Sequence, residues 1–107
     1  MGRFVIVAYT PKPNKSEQLL AAVKKHLAVL RKEGLVTEKP AYLMRAANGS
    51  IVEVFEWKSS EAISQAHENV AVQALWAEFS EVCDYTPLTQ LMETHEMFAE
   101  FDALEPS

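Results

Sequence analysis

Hydrophobic positions along this chain switch between a two-residue and a three-to-four-residue period, and the switches mark its elements. Residues Arg3-Phe4-Val5-Ile6-Val7-Ala8-Tyr9-Thr10 are β-branched and aromatic and stop at Pro11 and Pro13, which predicts a strand. Both alternating sets, Phe4/Ile6/Ala8 and Val5/Val7/Tyr9, are apolar, so both faces of this strand need cover. From about Lys15 to Glu33, Leu20, Val23, Leu27 and Leu30 recur at helical spacing. Asn14 with Glu17 reads as a capping box, and Gly34 as the left-handed residue that ends the helix. Val36 to Ala47 is a second strand, which Pro40 confines to a sheet edge or a bulge. Asn48-Gly49 predicts a type I′ hairpin turn into a third strand, Ile51 to Trp57. Ser59 or Ser60 caps a short helix over about Glu61 to His67, which Asn69 breaks. A longer helix runs to about Cys83 with Val72, Leu75, Trp76, Phe79 and Val82 as its apolar stripe. Leu88 to Met92 make a short fourth strand, and a tail carries Phe98, Phe101 and Leu104.

The order βαββαβ predicts an α+β, ferredoxin-like fold with a four-stranded antiparallel sheet. One domain spans residues 1–107, with its core at about 3–92 and a C-terminal tail at about 93–107. The first and third strands are central, the second lies at an edge, and the helices cover one face. The first strand is apolar on its other face too, which predicts a homodimer with sheets packed face to face.

Composition narrows the class. At 107 residues, 49% apolar and 23% charged, the chain is globular and has room for one core. Its longest apolar run, Phe4 to Ala8, is far short of a membrane span and lacks the pattern of a signal peptide. Gly2 does not open a myristoylation motif, because Ile6 stands where Ser or Thr is needed. A single cysteine, Cys83, excludes an intrachain disulfide, and the expected location is cytoplasmic. Residues 1–52 carry nine basic and three acidic residues, whereas residues 53–107 carry one basic and twelve acidic, for net charges of +6 and −11. Such a split suits two oppositely charged helices packed together or meeting across a subunit contact, and otherwise an anion-binding face.

Candidate chemistry is sparse. The third strand carries Glu53 and Glu56 instead of the basic-glycine-aromatic pattern of an RNA-recognition domain, so nucleic acid is not an expected partner. Gly2, Gly34 and Gly49 are isolated and form no phosphate-cradling loop. His26, His67 and His95 lie far apart and show no metal-ligand spacing, so neither a metal nor a cofactor is expected. Cys83, beside an apolar stripe, reads as a small buried hydrophobe. His26 reads as a boundary residue of its helix and His95 as an exposed tail residue. His67, four residues after Ile63 and three before Val70, is placed on the sheet-facing side of the short helix, where an imidazole suits proton abstraction. Trp57, Trp76, Tyr9 and Phe79 face the same space; the pattern is equally that of a packed aromatic core.

Glu56-Trp57-Lys58-Ser59-Ser60-Glu61-Ala62, followed by His67-Glu68-Asn69 and Val72-Gln73-Ala74-Leu75, resembles the antibiotic-biosynthesis-monooxygenase-like family. The resemblance in layout covers about residues 3–92 and the specific motif residues 56–75. It implies a dimeric α/β barrel of ferredoxin-like subunits that handles small molecules. By the same resemblance Trp57 and His67 border a pocket. In the oxygenase branch, which uses no cofactor and acts on phenolic or quinol-like substrates, His67 would be base or proton relay and Tyr9 its hydrogen-bonding partner. Trp57, Trp76 and Phe79 would be ring-stacking walls, and Arg45 would stabilise an anionic substrate. Haem degradation ranks lower: that branch pairs a first-strand Asn with a Trp and a His, whereas here the first strand has no Asn, and His67 and Trp76 fall near the other two positions. A non-catalytic module that binds a small apolar or aromatic ligand is the alternative to an enzyme.

Overall fold

The computed structural model describes residues 1–105. It is an α+β fold of one five-stranded antiparallel sheet and three α-helices: β1 (Arg3–Pro11), α1 (Ser16–Lys32), β2 (Tyr42–Arg45), β3 (Ile51–Trp57), α2 (Ser60–Glu68), α3 (Val70–Val82), β4 (Cys83–Thr86) and β5 (Asp102–Leu104). Two short 3₁₀ turns, Leu88–Gln90 and Met92–His95, lie between β4 and β5. The strand order is β4-β1-β3-β2-β5. No helix among the described residues is long and apolar enough to cross a membrane.

Several elements follow from local chemistry. Gly34 (φ 73°) lets the chain close a Schellman cap on α1: its N–H donates to the Arg31 carbonyl, and the Leu35 N–H to that of Leu30. Ser59 accepts from the Ala62 N–H to start α2. Asn69 both ends α2 and caps α3, its side chain accepting from the Val72 N–H. The expected capping box on Asn14 does not form. Asn14 instead adopts φ 64° in the preceding turn, Lys15 becomes the N-cap, and the turn closes through the Lys15 N–H and the Lys12 carbonyl.

The sheet has five strands, not four. The expected second strand shrinks to Tyr42–Arg45, with only an isolated bridge between Val36 and Trp57 in its earlier part. Pro40 precedes the ladder, and β2 lies between β3 and β5 instead of at an edge. Its hairpin to β3 is no type I′ turn. Of Asn48 and Gly49 only the glycine has positive φ, and the Gly49 N–H donates to the Ala46 carbonyl around a three-residue loop. The fourth strand is Cys83–Thr86, because the chain leaving α3 at once meets the free edge of β1, pairing Cys83 with Pro11 and Tyr85 with Tyr9. Leu88–Gln90 is a 3₁₀ turn, and the supposed tail returns to add β5 against β2.

Register sorts the two faces. Toward the helices, Val7 lies opposite Glu53, Val5 opposite Phe55 and Tyr9 opposite Ile51, packed against Leu19, Val23, Leu30, Val72, Leu75 and Phe79. The opposite face is half covered. Leu91, with Leu88 and Phe101, packs on Ala8, Ala46 and Val52. Beyond them Phe4, Ile6 and Tyr42 are exposed.

Candidate functional site

A carboxylate lies in the middle of the helix-covered face. Glu53 is at a core-facing position of a central strand and is fully buried. The Tyr9 hydroxyl on β1 donates to its Oε1 at 2.7 Å, and His26 Nδ1 on α1 lies 2.9 Å from the same oxygen. On the far side of the imidazole, the Trp76 indole N–H points to His26 Nε2 at 3.4 Å. Indole N–H only donates, so Nε2 accepts and the imidazole hydrogen sits on Nδ1, directed at Glu53. Phe55 and Phe79 pack edge-on to the His26 ring, and Tyr9 stacks on Phe79 with centroids 4.9 Å apart. Burial, then the charge of Glu53 and the hydrogen bond to it, push the Tyr9 phenol well above its ordinary pKa. Tyr9 is therefore held as a donor.

Glu53 Oε2 is the unmatched atom. It is buried and, among the described residues, has no hydrogen-bond partner. An orphaned buried acceptor costs about 1–3 kcal/mol, so a native fold that keeps one invites a functional explanation. The same residue lines a cavity of about 160 Å³ between α1 and the segment entering β2. Val23, Lys24, Leu27 and Arg31 form the helix wall; Pro40, Ala41 and Leu43 form the other. Glu53 marks its deep end, since Lys24 is half-buried and Arg31 and Pro40 are exposed. A larger groove of about 520 Å³ runs between α1 and α3, but alanines and the exposed Lys25–Glu78 ion pair line it and no buried polar group enters it.

The residues singled out from sequence are dispersed. His67 is exposed; Ala62 and Ala66, one turn apart, take the sheet-facing stripe of α2, and Ile63 is only half-buried. His67 touches the edge of the half-buried Trp76, centroids 5.1 Å apart. Trp57 packs on Phe55, 5.2 Å between centroids, in a cluster with Leu30 and Val72, and Phe79 is completely enclosed. None of the cavities described above includes His67, Trp57 or Trp76 among its walls. Arg45 is half-buried at the end of β2, opposite Ile51 and Asp102. Only Tyr9 of the set touches the buried carboxylate; Trp76 reaches it through His26. His26 is buried and not at a boundary, while His95 is exposed. Cys83 is buried, its thiol pushed up to about 11 chiefly by desolvation.

Sequence reasoning gave neither Glu53 nor His26 a role in a site, although both left a signal. Glu53 alternates with Ile51, Phe55 and Trp57, which puts a carboxylate on the core face. His26 lies three residues after Val23 and four before Leu30, inside the apolar stripe. Among the described residues no group of three His, Cys, Asp or Glu could hold a metal ion. Comparison with known proteins gives no matching family model, no matching curated protein and no matching solved structure.

Proposed function

We propose that this chain is a small-molecule-handling protein of the antibiotic-biosynthesis-monooxygenase-like kind, in which Glu53 is the group that meets the ligand. The observation that carries this reading is the buried, unpartnered Glu53 Oε2 in a residue that lines a cavity. The contiguous strand run β4-β1-β3-β2 supports a ferredoxin-like subunit, to which β5 is an addition. Exposed Phe4, Ile6 and Tyr42 on the open sheet face support a homodimer built through that face. The lone unpaired thiol of Cys83 agrees with a cytoplasmic setting.

The chemistry follows from the carboxylate. A phenol or quinol hydroxyl in the cavity donates to Oε2 and can pass its proton there, while Tyr9 and His26 hold Oε1 in place. The resulting oxyanion is electron-rich. In a cofactor-independent oxygenase, dioxygen from solution then takes four electrons from a quinol: one oxygen atom enters the ring as hydroxyl and the other leaves as water, giving a hydroxyquinone. Glu53 replaces His67 as the base in this scheme, because His67 faces solvent.

The alternative, a non-catalytic binding module, draws support from the space beside Trp57, which Leu30, Phe55 and Val72 fill. Titration with hydroquinone under argon and then in air separates the two. Saturable binding lost in Glu53→Gln supports the site. Oxygen uptake with quinone absorbance identifies the oxygenase, and binding without uptake the module. Failure of phenol and hydroquinone alike to bind wild-type protein would refute the assignment of Glu53.

A further inference from the structure

The walls of the Glu53 cavity also select a ligand class, an inference that rests on the reading of Glu53 as the ligand-facing group. Lys24, Leu27 and Arg31 stand at i, i+3 and i+7 of α1, so both cations occupy one face of the helix at the outer part of the cavity. A guanidinium nitrogen of Arg31 donates to the Lys39 carbonyl at 3.1 Å, which ties that side chain to the segment just before Pro40. Neither Lys24 nor Arg31 forms an ion pair among the described residues, whereas the neighbouring Lys25 and Lys39 do, with Glu78 and Glu56. Between rim and floor the walls are apolar, from Val23, Leu27 and Leu43. The cavity therefore has the buried residue Glu53 at its inner end, an apolar middle and two cations outside. Its volume of about 160 Å³ suits one aromatic ring, since a cavity of roughly 150 Å³ holds benzene.

We infer that the cavity takes a small aromatic hydroxy acid, its hydroxyl donating to Glu53 Oε2 and its carboxylate meeting Lys24 and Arg31 at the mouth. The two ends act differently. The hydroxyl supplies the donor that the buried acceptor lacks, and an analogue without it leaves Oε2 orphaned. The carboxylate stays near solvent, so its contribution is modest and weakened by salt. A ligand cation is disfavoured by the two rim cations it must pass.

Calorimetry and amide chemical-shift mapping with 4-hydroxybenzoate, phenol, benzoate and 4-(aminomethyl)benzoate test this. The expected result is 4-hydroxybenzoate binding about five- to tenfold tighter than phenol at low salt, with shifts at Leu27 and Leu43. That ratio should fall toward one in Lys24→Gln/Arg31→Gln and in high salt, and benzoate should bind weakest. Phenol binding as tightly as 4-hydroxybenzoate would overturn the acid preference and leave the Glu53 reading standing. Benzoate or the amine matching 4-hydroxybenzoate would overturn the hydroxyl assignment. Binding by none of the four would bring down the Glu53 reading itself.

Discussion

Tyr9 donates its phenolic hydrogen to Glu53 Oε1 at 2.7 Å, linking two adjacent central strands through a fully buried carboxylate. The bond is charge-assisted when Glu53 is ionised. Tyr9→Phe removes it while keeping the stack on Phe79, and should cost about 1–3 kcal/mol in urea denaturation. An unchanged midpoint would show that the bond contributes nothing net.

Glu53 itself offers a sharper contrast. Glu53→Gln keeps an oxygen for the Tyr9 and His26 donors, so stability should stay within about 1 kcal/mol of wild type. Glu53→Leu orphans both donors and should cost about 2–5 kcal/mol despite the gain in apolar contact. Equal midpoints for the two variants in guanidinium unfolding would contradict the network.

Cys83 combines enclosure with a thiol raised to about 11, so little thiolate exists near neutrality. At pH 8 a disulfide reagent should modify the folded protein about 100-fold more slowly than the urea-unfolded chain. Comparable rates would mean that β4 opens readily from β1.

Glu56 gives a pH dependence. The Thr37 hydroxyl, donating to Oε1 at 2.9 Å, and then Lys39 at 3.1 Å hold its carboxyl below the ordinary glutamate range. Above that range the carboxyl is ionised in folded and unfolded chains alike, and its contribution to stability is complete. On acidification the unfolded chain binds the proton first, so the contribution is lost as pH falls through the ordinary range to the folded value. Thr37→Val should move the acid-unfolding midpoint, followed by circular dichroism, to higher pH. A midpoint that stays put would remove Thr37 from the account.

Ile6 is 54% exposed on the half-covered sheet face, so a charge there is tolerated by a single subunit. If a second copy covers the face, Ile6→Arg should convert a dimer of wild-type mass to a monomer in light scattering, with far-ultraviolet circular dichroism unchanged. A wild-type monomer, or an undisturbed dimer of the variant, would rule out this interface.

What could be read from sequence was set by neighbours along the chain. β1, α1 and β3 declare themselves by period, and Gly34, Ser59 and Asn69 end or start helices through bonds spanning a few residues. Local pattern failed where pairing decides. Cys83–Thr86 is a strand because β1 has a free edge beside it, and Asp102–Leu104 because β2 has one. His67 was misplaced because Ala62 and Ala66, too small to stand out in a hydrophobic pattern, are the residues that let α2 approach the sheet. The candidate site was the least legible part. Tyr9, His26 and Glu53 carry unremarkable local signals, separated by 17 and 27 residues, and only the packing of α1 across β1 and β3 brings them onto one oxygen. Sequence determined which faces must be buried, since hydrophobic periodicity is a local property. Tertiary structure alone decided which buried polar atom would be left without a partner, because satisfaction of a hydrogen bond depends on every element that reaches the same point in space.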